Sequence, residues 1–512
     1  MTDIADILFS QTLLPISFLV MAGFFILLTG LYGIFARWSH FFSIMAMLVG
    51  LLLLGWGNHS EVNLMVYHPF VLFGWLLVMV ATFVVFQLSG RFWQTTTRLS
   101  LDNTKTKDSP PQGFFRFEVP VMMLWAVAGL MVMVASGHFV TLYLGLELSS
   151  LCFYFLVSIN RYDKRASEAA LKYYILGAMA SAIFLFGASL LYGMTGSLDF
   201  ATMKDEIDAM LAAGDRGVLS LTLGLLFVIV GIGFKVSAAP FHFWAPDVYQ
   251  GSLSPITAFF ATAPKLAGLV VLGRLLLEYF SALQNQWQII IAILALLSLV
   301  FGAFPALTQN NLKRFIALSG ITHVGFLLLA LVALSRDETF DSLVFFIGYL
   351  LIYLTQIIGL LVVLLGFHKV FKKPEPTQDD ELYLSDFAGL SRGHPKLAFG
   401  LLLLLFSSAG IPPLLGFFAK WWVLIALVEY EFIGLAVVAV LLSLVSATYY
   451  LKIIKTIYMD KPSSDFTLMA RQVYSGQDNM LMGFWFWLVV AVQLLAPLFL
   501  GNIMAWLNFF RP

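Results

Sequence analysis

The sequence is poor in cysteine and in charge. Among 512 residues there is one cysteine, Cys152, and only 11% of the residues are Asp, Glu, Lys or Arg. A single cysteine excludes an internal disulfide and a cysteine-held zinc or iron–sulfur centre. The 29 basic and 29 acidic residues cancel. This balance excludes a strongly basic nucleic-acid-binding protein and an acidic disordered tail.

Motifs for cofactor binding are also missing. No Gly-x-Gly-x-x-Gly opens a helix after a strand, and no Walker A loop is present. The eight histidines show no paired spacing across hydrophobic segments of the kind that holds haem or copper. We therefore expect no cofactor-binding residues and no metal ligands in this chain.

Hydrophobic residues are abundant, at 60% of the chain. Soluble domains average about 45–50%, and a soluble protein of this composition would expose large apolar patches. The composition therefore predicts an all-α polytopic membrane protein in a lipid bilayer. The acidic start, MTDIADILFS, does not resemble a cleaved signal peptide.

Apolar runs long enough to cross about 30 Å of hydrocarbon predict about 14 transmembrane helices. They lie near residues 12–35, 41–57, 70–90, 119–136, 138–159, 168–194, 217–240, 252–281, 287–305, 313–335, 341–371, 396–428, 432–458 and 481–508.

Lysine and arginine concentrate in alternate connections between these spans. The intervening connections hold only Lys204, Arg216 and Arg336. By the positive-inside rule the rich set faces the cytoplasm or the mitochondrial matrix. Both termini are therefore expected on the opposite, periplasmic or intermembrane, side.

Four charged residues remain deep within predicted spans: Glu147, Lys235, Lys265 and Lys420. A charge at that depth is costly, so a functional role is the default interpretation. The alternative is that each side chain reaches a lipid headgroup or forms a static buried ion pair. Their depth in the spans argues against the first of these.

Two of the lysines lie beside helix-breaking residues. Lys235 precedes Pro240, and Lys420 follows the run Gly410-Ile411-Pro412-Pro413. Interrupted helices in corresponding places of two halves are typical of inverted-repeat transporters. We therefore predict two inverted five-helix repeats, spans 4–8 and 9–13, with broken helices 7 and 12. The predicted division of the chain is 1–118, 119–281 (first repeat), 282–458 (second repeat) and 459–512.

The chemistry available to these residues is proton transfer. A desolvated lysine gives up its proton more readily than one in water, and a nearby carboxylate opposes that loss. His242 and His323 extend the set, although a lone histidine on an apolar helix is often only a core residue. Lys172 and Lys313 lie near span starts on the positive side, where they serve proton entry or only set the topology.

Five segments identify a family. They are LYLGLELSSLCFYFLVS, EAALKYYILGAMASAIFLFGASLLYG, GFKVSAAPFHFWAPDVYQGS, LKRFIALSGITHVGF and SSAGIPPLLGFFAKWW. Over about residues 119–460 the chain resembles subunit N (chain 2 type) of respiratory complex I, the proton-translocating NADH–quinone oxidoreductase. Subunit N is favoured over the M type, which carries glutamate at the position of Lys420, and over the L type, which has a long lateral helix.

The resemblance implies an antiporter-like module of a proton pump with no cofactor of its own. FMN, iron–sulfur clusters and quinone are then expected in partner subunits, among them the M and L types and small membrane subunits. It also implies that Glu147, Lys235, Lys265 and Lys420 transfer protons. The supporting positions that it implies are Lys172, His242, Lys313 and His323.

The sequence departs from the family in two places. After the seventh helix the family usually reads EGSPTPVTAF, whereas this chain reads QGSLSPITAF, with Gln250 in place of glutamate and Leu253 in place of proline. The polar segment DNTKTKDSPPQG is longer than the family leads one to expect.

Two other functional classes remain open from the sequence. A subunit of a multi-chain sodium/proton antiporter, or of a membrane-bound hydrogenase, shares the same buried Glu and Lys set. A membrane-embedded lipid or glycosyl transferase would need an acidic cluster in an outer loop, for which only residues 204–208 qualify. That run is more typical of a solvated amphipathic segment.

Overall fold

The computed structural model describes most of the chain. The described residues are 13–31, 38–54, 64–102, 117–160, 163–213, 217–337, 342–366, 382–461 and 480–510, with only the backbone described for 91–102. Within these ranges the regular structure is helical, and the only β pairings are isolated bridges, such as that of His138 with Asp199. The all-α prediction is confirmed.

The α-helices of the described ranges are numbered in chain order. They are α1 Leu14–Leu31, α2 Ser39–Leu54, α3 Pro69–Asp102, α4 Glu118–Ala135, α5 Phe139–Ser158, α6 Lys164–Thr195, α7 Phe200–Ala212, α8 Val218–Val236, α9 Trp244–Gly251, α10 Ser254–Ala261, α11 Ala263–Arg274, α12 Gln284–Thr308, α13 Leu312–Leu334, α14 Leu343–Gly366, α15 Leu390–Gly393, α16 Pro395–Ala409, α17 Leu415–Glu429, α18 Ile433–Tyr458, α19 Met480–Leu495 and α20 Leu500–Leu507. A π-helix follows α11, and short 3₁₀ turns lie at Ser281–Leu283, Leu384–Phe387, Ala496–Phe499 and Asn508–Phe510.

Every predicted span contains a helix. In the described residues 12 helices are long and apolar enough to cross a membrane, and two shorter apolar helices, α2 and α16, occupy the remaining predicted spans. The chain is thus a multi-pass membrane protein. Much of the polar segment DNTKTKDSPPQG and of the loops predicted at 372–395 and 459–480 lies outside the described residues.

Polar residues at helix starts explain where several spans begin. Asp163 and Asn311 accept hydrogen bonds from the first backbone N–H groups of α6 and α13, and Asp199 does so for α7. These groups have no partner inside the helix, so a side-chain acceptor stabilises the start. Gly196, with φ of 70°, ends α6 in the left-handed conformation that favours glycine.

The contacts divide the chain into two units. Unit 1 comprises Met1–Lys235 and Gly251–Leu283, and unit 2 comprises Val236–Gln250 and Gln284–Arg511. In unit 1, helices α4, α10 and α11 pack against α3, and α4 also packs against α5. In unit 2, helix α13 is buried along nearly its whole length and packs against α12, α14 and α17.

Glycines let α4 and α5 approach closely in unit 1. A Cβ added at Gly145 would lie 2.6 Å from the backbone nitrogen of Met133, and one at Gly129 would lie 2.8 Å from that of Ser149. Without a hydrophobic driving force between helices in lipid, such close backbone packing is a main source of association. It also fixes the position of α5, which carries Glu147.

The Gly145→Ala substitution is expected to destabilise unit 1 by about 1–3 kcal/mol, because backbone atoms cannot yield to the new methyl group. Gly434→Ala is the matched control, since a Cβ at Gly434 meets nothing within 4 Å. The measurement is the apparent melting temperature and the yield of the detergent-extracted protein. Equal behaviour of the two variants would contradict the close packing.

Both predicted helix breaks are present. Helix α8 ends at Val236, one residue after Lys235, and Ser237 follows with a left-handed φ of 62°. Helix α16 ends at Ala409, Gly410 follows with φ of 88°, and α17 begins at Leu415.

A third break was not predicted. The eighth span is interrupted at Thr262, between α10 and α11, and Lys265 lies in the first turn of α11. Pro264 stands at the start of α11, where its missing N–H costs nothing. A single proline in an apolar run is equally compatible with a continuous, kinked helix. The sequence pattern therefore did not predict this interruption.

Candidate functional site

Glu147 lies in the middle of α5 and is half-buried. The hydroxyl of Ser181, on α6, donates a hydrogen bond to its carboxylate. This bond holds the carboxylate between the two helices. It also shows how a charge is accommodated in an apolar helix pair, because a hydrogen bond to a carboxylate is stronger than one between neutral groups.

Lys235 lies at the end of α8 and is 4% exposed. Its Nζ donates a hydrogen bond of 2.9 Å to the hydroxyl of Ser150, and it lies 5.0 Å from the centre of the Phe153 ring. Ser150 follows Glu147 by three residues on α5, so the two side chains share one face of that helix. The structure therefore brings Glu147 and Lys235 to the same side of α5.

No salt bridge joins Glu147 to Lys235 within 4.0 Å in the described residues. A cavity of about 10 Å³ lies there instead, and Ser150, Ser181 and Lys235 are among the residues that line it. A space of roughly 10–15 Å³ holds one water molecule when polar groups surround it. The order is then carboxylate, Ser181, water-sized cavity, Ser150 and ammonium.

Lys265, in the first turn of α11, is 1% exposed and also belongs to unit 1. The fourth residue of the set, Lys420, lies in α17 of unit 2 and is 7% exposed. Its Nζ donates a hydrogen bond of 2.8 Å to the carbonyl oxygen of Ala409. That carbonyl ends α16 and has no partner within its own helix, so the break supplies an acceptor for the lysine.

His323 and Lys420 border the same aromatic cluster in unit 2. The Nδ1 of His323 lies 3.1 Å from the hydroxyl of Tyr349, and the Tyr349 ring stacks on Phe326. Lys420 Nζ lies 5.4 Å from the centre of the Phe326 ring. Helices α13, α14 and α17 thus place a histidine, a tyrosine hydroxyl and a lysine around one phenylalanine.

The other predicted residues occupy different surroundings. Lys172 is half-buried and pairs with Glu168 at 2.7 Å, whereas Lys313 is buried, with 6% exposed, in the first turn of α13. His242 is 5% exposed and its ring packs on Phe301 of α12 within unit 2. These contacts place Lys172 beside Glu168 and His242 beside Phe301.

Gln250, at one of the family departures, retains a polar role. The guanidinium of Arg314 donates hydrogen bonds to Asp247, at 2.7 Å, and to Gln250 Oε1, at 3.0 Å. An amide oxygen accepts such a bond as a carboxylate would. The end of α9 is therefore tied to the start of α13 although glutamate is absent.

Sequence reasoning missed the uncharged polar residues of the site. Ser150 and Ser181 make the side-chain contacts to Lys235 and Glu147, and Tyr349 contacts His323. The position of Ser150 three residues after Glu147 was the one available signal. Serines in membrane helices commonly bond to their own backbone, so residue type alone does not distinguish the functional ones.

Comparison with known proteins identifies the family. Residues 136–446 match the family described as "NADH:quinone oxidoreductase/Mrp antiporter, TM". NADH-quinone oxidoreductase subunit N of Maricaulis maris is 43% identical over 359 residues, which are 70% of this chain and 71% of the relative. The subunit N of Thioalkalivibrio sulfidiphilus is 45% identical over 351 residues, 69% of this chain and 70% of the relative.

Solved structures agree in fold. A chain of respiratory complex I from Thermus thermophilus superposes with a TM-score of 0.71 at 27% identity, covering 95% of this chain and 98% of that one. A chain of the Mrp complex from Dietzia sp. gives a TM-score of 0.74 at 18% identity, covering 98% and 96%, a likeness of fold alone. From the profile match and the bacterial relatives, this chain belongs to the NADH-quinone oxidoreductase subunit N family.

Proposed function

We propose that this chain conducts protons as the antiporter-like subunit N of NADH–quinone oxidoreductase. The observation that carries the proposal is the arrangement around Lys235. A buried lysine at a helix break contacts Ser150, across a water-sized cavity from Ser181, which binds Glu147. Family membership supplies the context in which such a route is coupled to electron transfer.

The proposed proton path runs from Lys235 through Lys265 and His323 toward Lys420. All four side chains are buried, with at most 7% exposed, and each can hold and release a proton. Quinone reduction elsewhere in the assembly would drive the path by changing hydration and the interaction of Glu147 with Lys235. Lys172, His242 and Lys313 would support proton entry and delivery.

We assign redox chemistry to other subunits. FMN, iron–sulfur clusters and quinone would be held by partner chains, and the M-type and L-type antiporter-like subunits, with small membrane subunits, would adjoin this one. The relatives named above come from bacteria, which favours the inner membrane of a bacterial cell over that of a mitochondrion. Both termini would lie on the periplasmic side, as the distribution of lysine and arginine predicts.

A sodium/proton antiporter subunit is the second candidate, since the Mrp complex shares the fold. Purification in mild detergent separates the candidates, because the proposed function requires flavin-containing and iron–sulfur subunits to co-purify. The assembled complex in sealed vesicles should also take up protons on addition of NADH and quinone at an unchanged rate when potassium replaces sodium. A requirement for sodium, or the absence of redox subunits, would instead favour the antiporter.

A further inference from the structure

A buried hydrogen-bond network surrounds the break between α16 and α17 in unit 2. The hydroxyl of Ser407, on α16, accepts a hydrogen bond of 2.9 Å from the backbone N–H of Gly416, on α17. It donates one of 2.5 Å to Oε1 of Gln493, on α19. Nε2 of Gln493 donates one of 2.7 Å to the hydroxyl of Thr355, on α14.

The network is continuous, and each of its two ends is a backbone group. It begins at the N–H of Gly416 and passes through Ser407 and Gln493 to Thr355. The Thr355 hydroxyl then donates to the carbonyl oxygen of Ile352, at 2.8 Å. Each hydroxyl both accepts and donates, and the Gln493 amide uses both of its ends, so these bonds fix the orientation of every member.

Ser407 joins the two halves of the broken helix, and the space beside it is full. A Cβ added at Gly416 would overlap the carbonyl oxygen of Ser407 and the Nε2 of Gln356. Lys420 lies one turn after Gly416 on α17, and its acceptor, the Ala409 carbonyl, lies two residues after Ser407 on α16. The bond between Ser407 and Gly416 therefore sets the separation of Lys420 from its acceptor.

Gln493 comes from the last span, which lies outside the two predicted five-helix repeats. Its side chain is 0% exposed, and α19 packs against α14, α16 and α17. Burying the glutamine amide costs free energy unless it is paired, and removing Gln493 would leave the hydroxyls of Ser407 and Thr355 short of a partner. The last span thereby contacts a residue that borders the break.

We infer that Gln493 is a positioning residue for Lys420, acting through Ser407. This inference rests on the proposed function, in which Lys420 exchanges protons. Without Gln493 the Ser407 hydroxyl turns to another acceptor, the two halves of the broken helix lose their common anchor, and Lys420 shifts relative to Ala409. A misplacement of about 1 Å slows a transfer on the order of 100-fold.

The test uses the assembled complex in sealed vesicles, with protons taken up per NADH oxidised as the readout. The variants are Gln493→Met, Lys420→Met and the double variant, with Gln288→Met as control. Gln288 is likewise a buried glutamine of unit 2, but within the described residues its side-chain nitrogen has no hydrogen-bond partner. We expect proton transfer through this subunit to be at least about tenfold slower in Gln493→Met. In Gln288→Met we expect no slowing.

The double variant separates positioning from a general structural role. If Gln493 acts through Lys420, adding Gln493→Met to Lys420→Met causes no further loss, because interacting residues are non-additive. Additive losses, or full pumping by Gln493→Met, would overturn the inference while leaving the proposed function intact. Full pumping by Lys420→Met would instead overturn the proposed function.

Thr355→Val provides a second variant if Gln493→Met fails to assemble. It keeps the shape of the side chain but removes the acceptor of Gln493 Nε2, which orients the Gln493 amide toward Ser407. We expect a smaller loss of protons per NADH than in Lys420→Met, again absent when Lys420 is already replaced. Wild-type yield in Thr355→Val would then overturn the inference.

Discussion

The Lys235→Met variant is expected to lose proton transfer through this subunit, by on the order of 100-fold, while remaining folded. Methionine fills a similar volume beside Phe153 but cannot hold a proton. The hydroxyl of Ser150 would keep its bond to the carbonyl oxygen of Leu146. The measurement is protons taken up per NADH oxidised, in vesicles that contain the assembled complex.

Lys235→Arg decides between proton exchange and a static ion pair. Arginine keeps the positive charge but does not give up its proton in proteins. If Lys235 only balances Glu147, Lys235→Arg retains much of the activity; if it transfers a proton, Lys235→Arg fails as Lys235→Met does. The control is Lys396→Met, at an exposed lysine, which should pump normally. Full proton yield in Lys235→Met would refute the proposed path.

Glu147→Gln is expected to slow transfer on the order of tenfold, because the bond from Ser181 would become a neutral one and lose about 1–2 kcal/mol. The side chain keeps its size and an oxygen that accepts from Ser181, so assembly should be unaffected. The measurement is again the proton yield together with the rate of NADH oxidation.

The matched control for that variant is Glu206→Gln. Glu206 lies on α7 and is exposed, and it belongs neither to the cavity beside Lys235 nor to the proposed proton path. Equal effects of Glu147→Gln and Glu206→Gln would show that the half-buried carboxylate has no special role.

The helical class, the spans and two of the helix breaks could be predicted from the sequence, because these features follow from strong local signals. Runs of apolar residues of fixed length predict spans, and the Pro-Pro pair at 412–413 cannot continue a helix. The interruption at Thr262 has only Pro264 to indicate it, and a single proline is compatible with a kink. Tertiary packing decides between those outcomes, and packing cannot be read from composition.

The same distinction explains which site residues were predictable. Glu147, Lys235, Lys265 and Lys420 are conspicuous because a charge in an apolar span is rare. Ser407 and Gln493 are 86 residues apart in the chain and meet only in the folded protein. The hydroxyl of Ser408, next to Ser407, donates a hydrogen bond to the carbonyl oxygen of Leu404 in its own helix. No local pattern separates two adjacent serines with such different partners.

The hydrogen bond from Lys420 to the Ala409 carbonyl has a consequence for mutational tolerance. The partner of Lys235 is the side chain of Ser150, which a single substitution can delete, whereas a backbone carbonyl survives every substitution at position 409. Variation at Ala409 should therefore be limited by packing alone. Selection should instead act on the residues that end α16 and so leave the Ala409 carbonyl without a partner in its helix. The main one is Gly410, whose φ of 88° suits glycine best. A survey of natural variants should find Gly410 more restricted than Ala409.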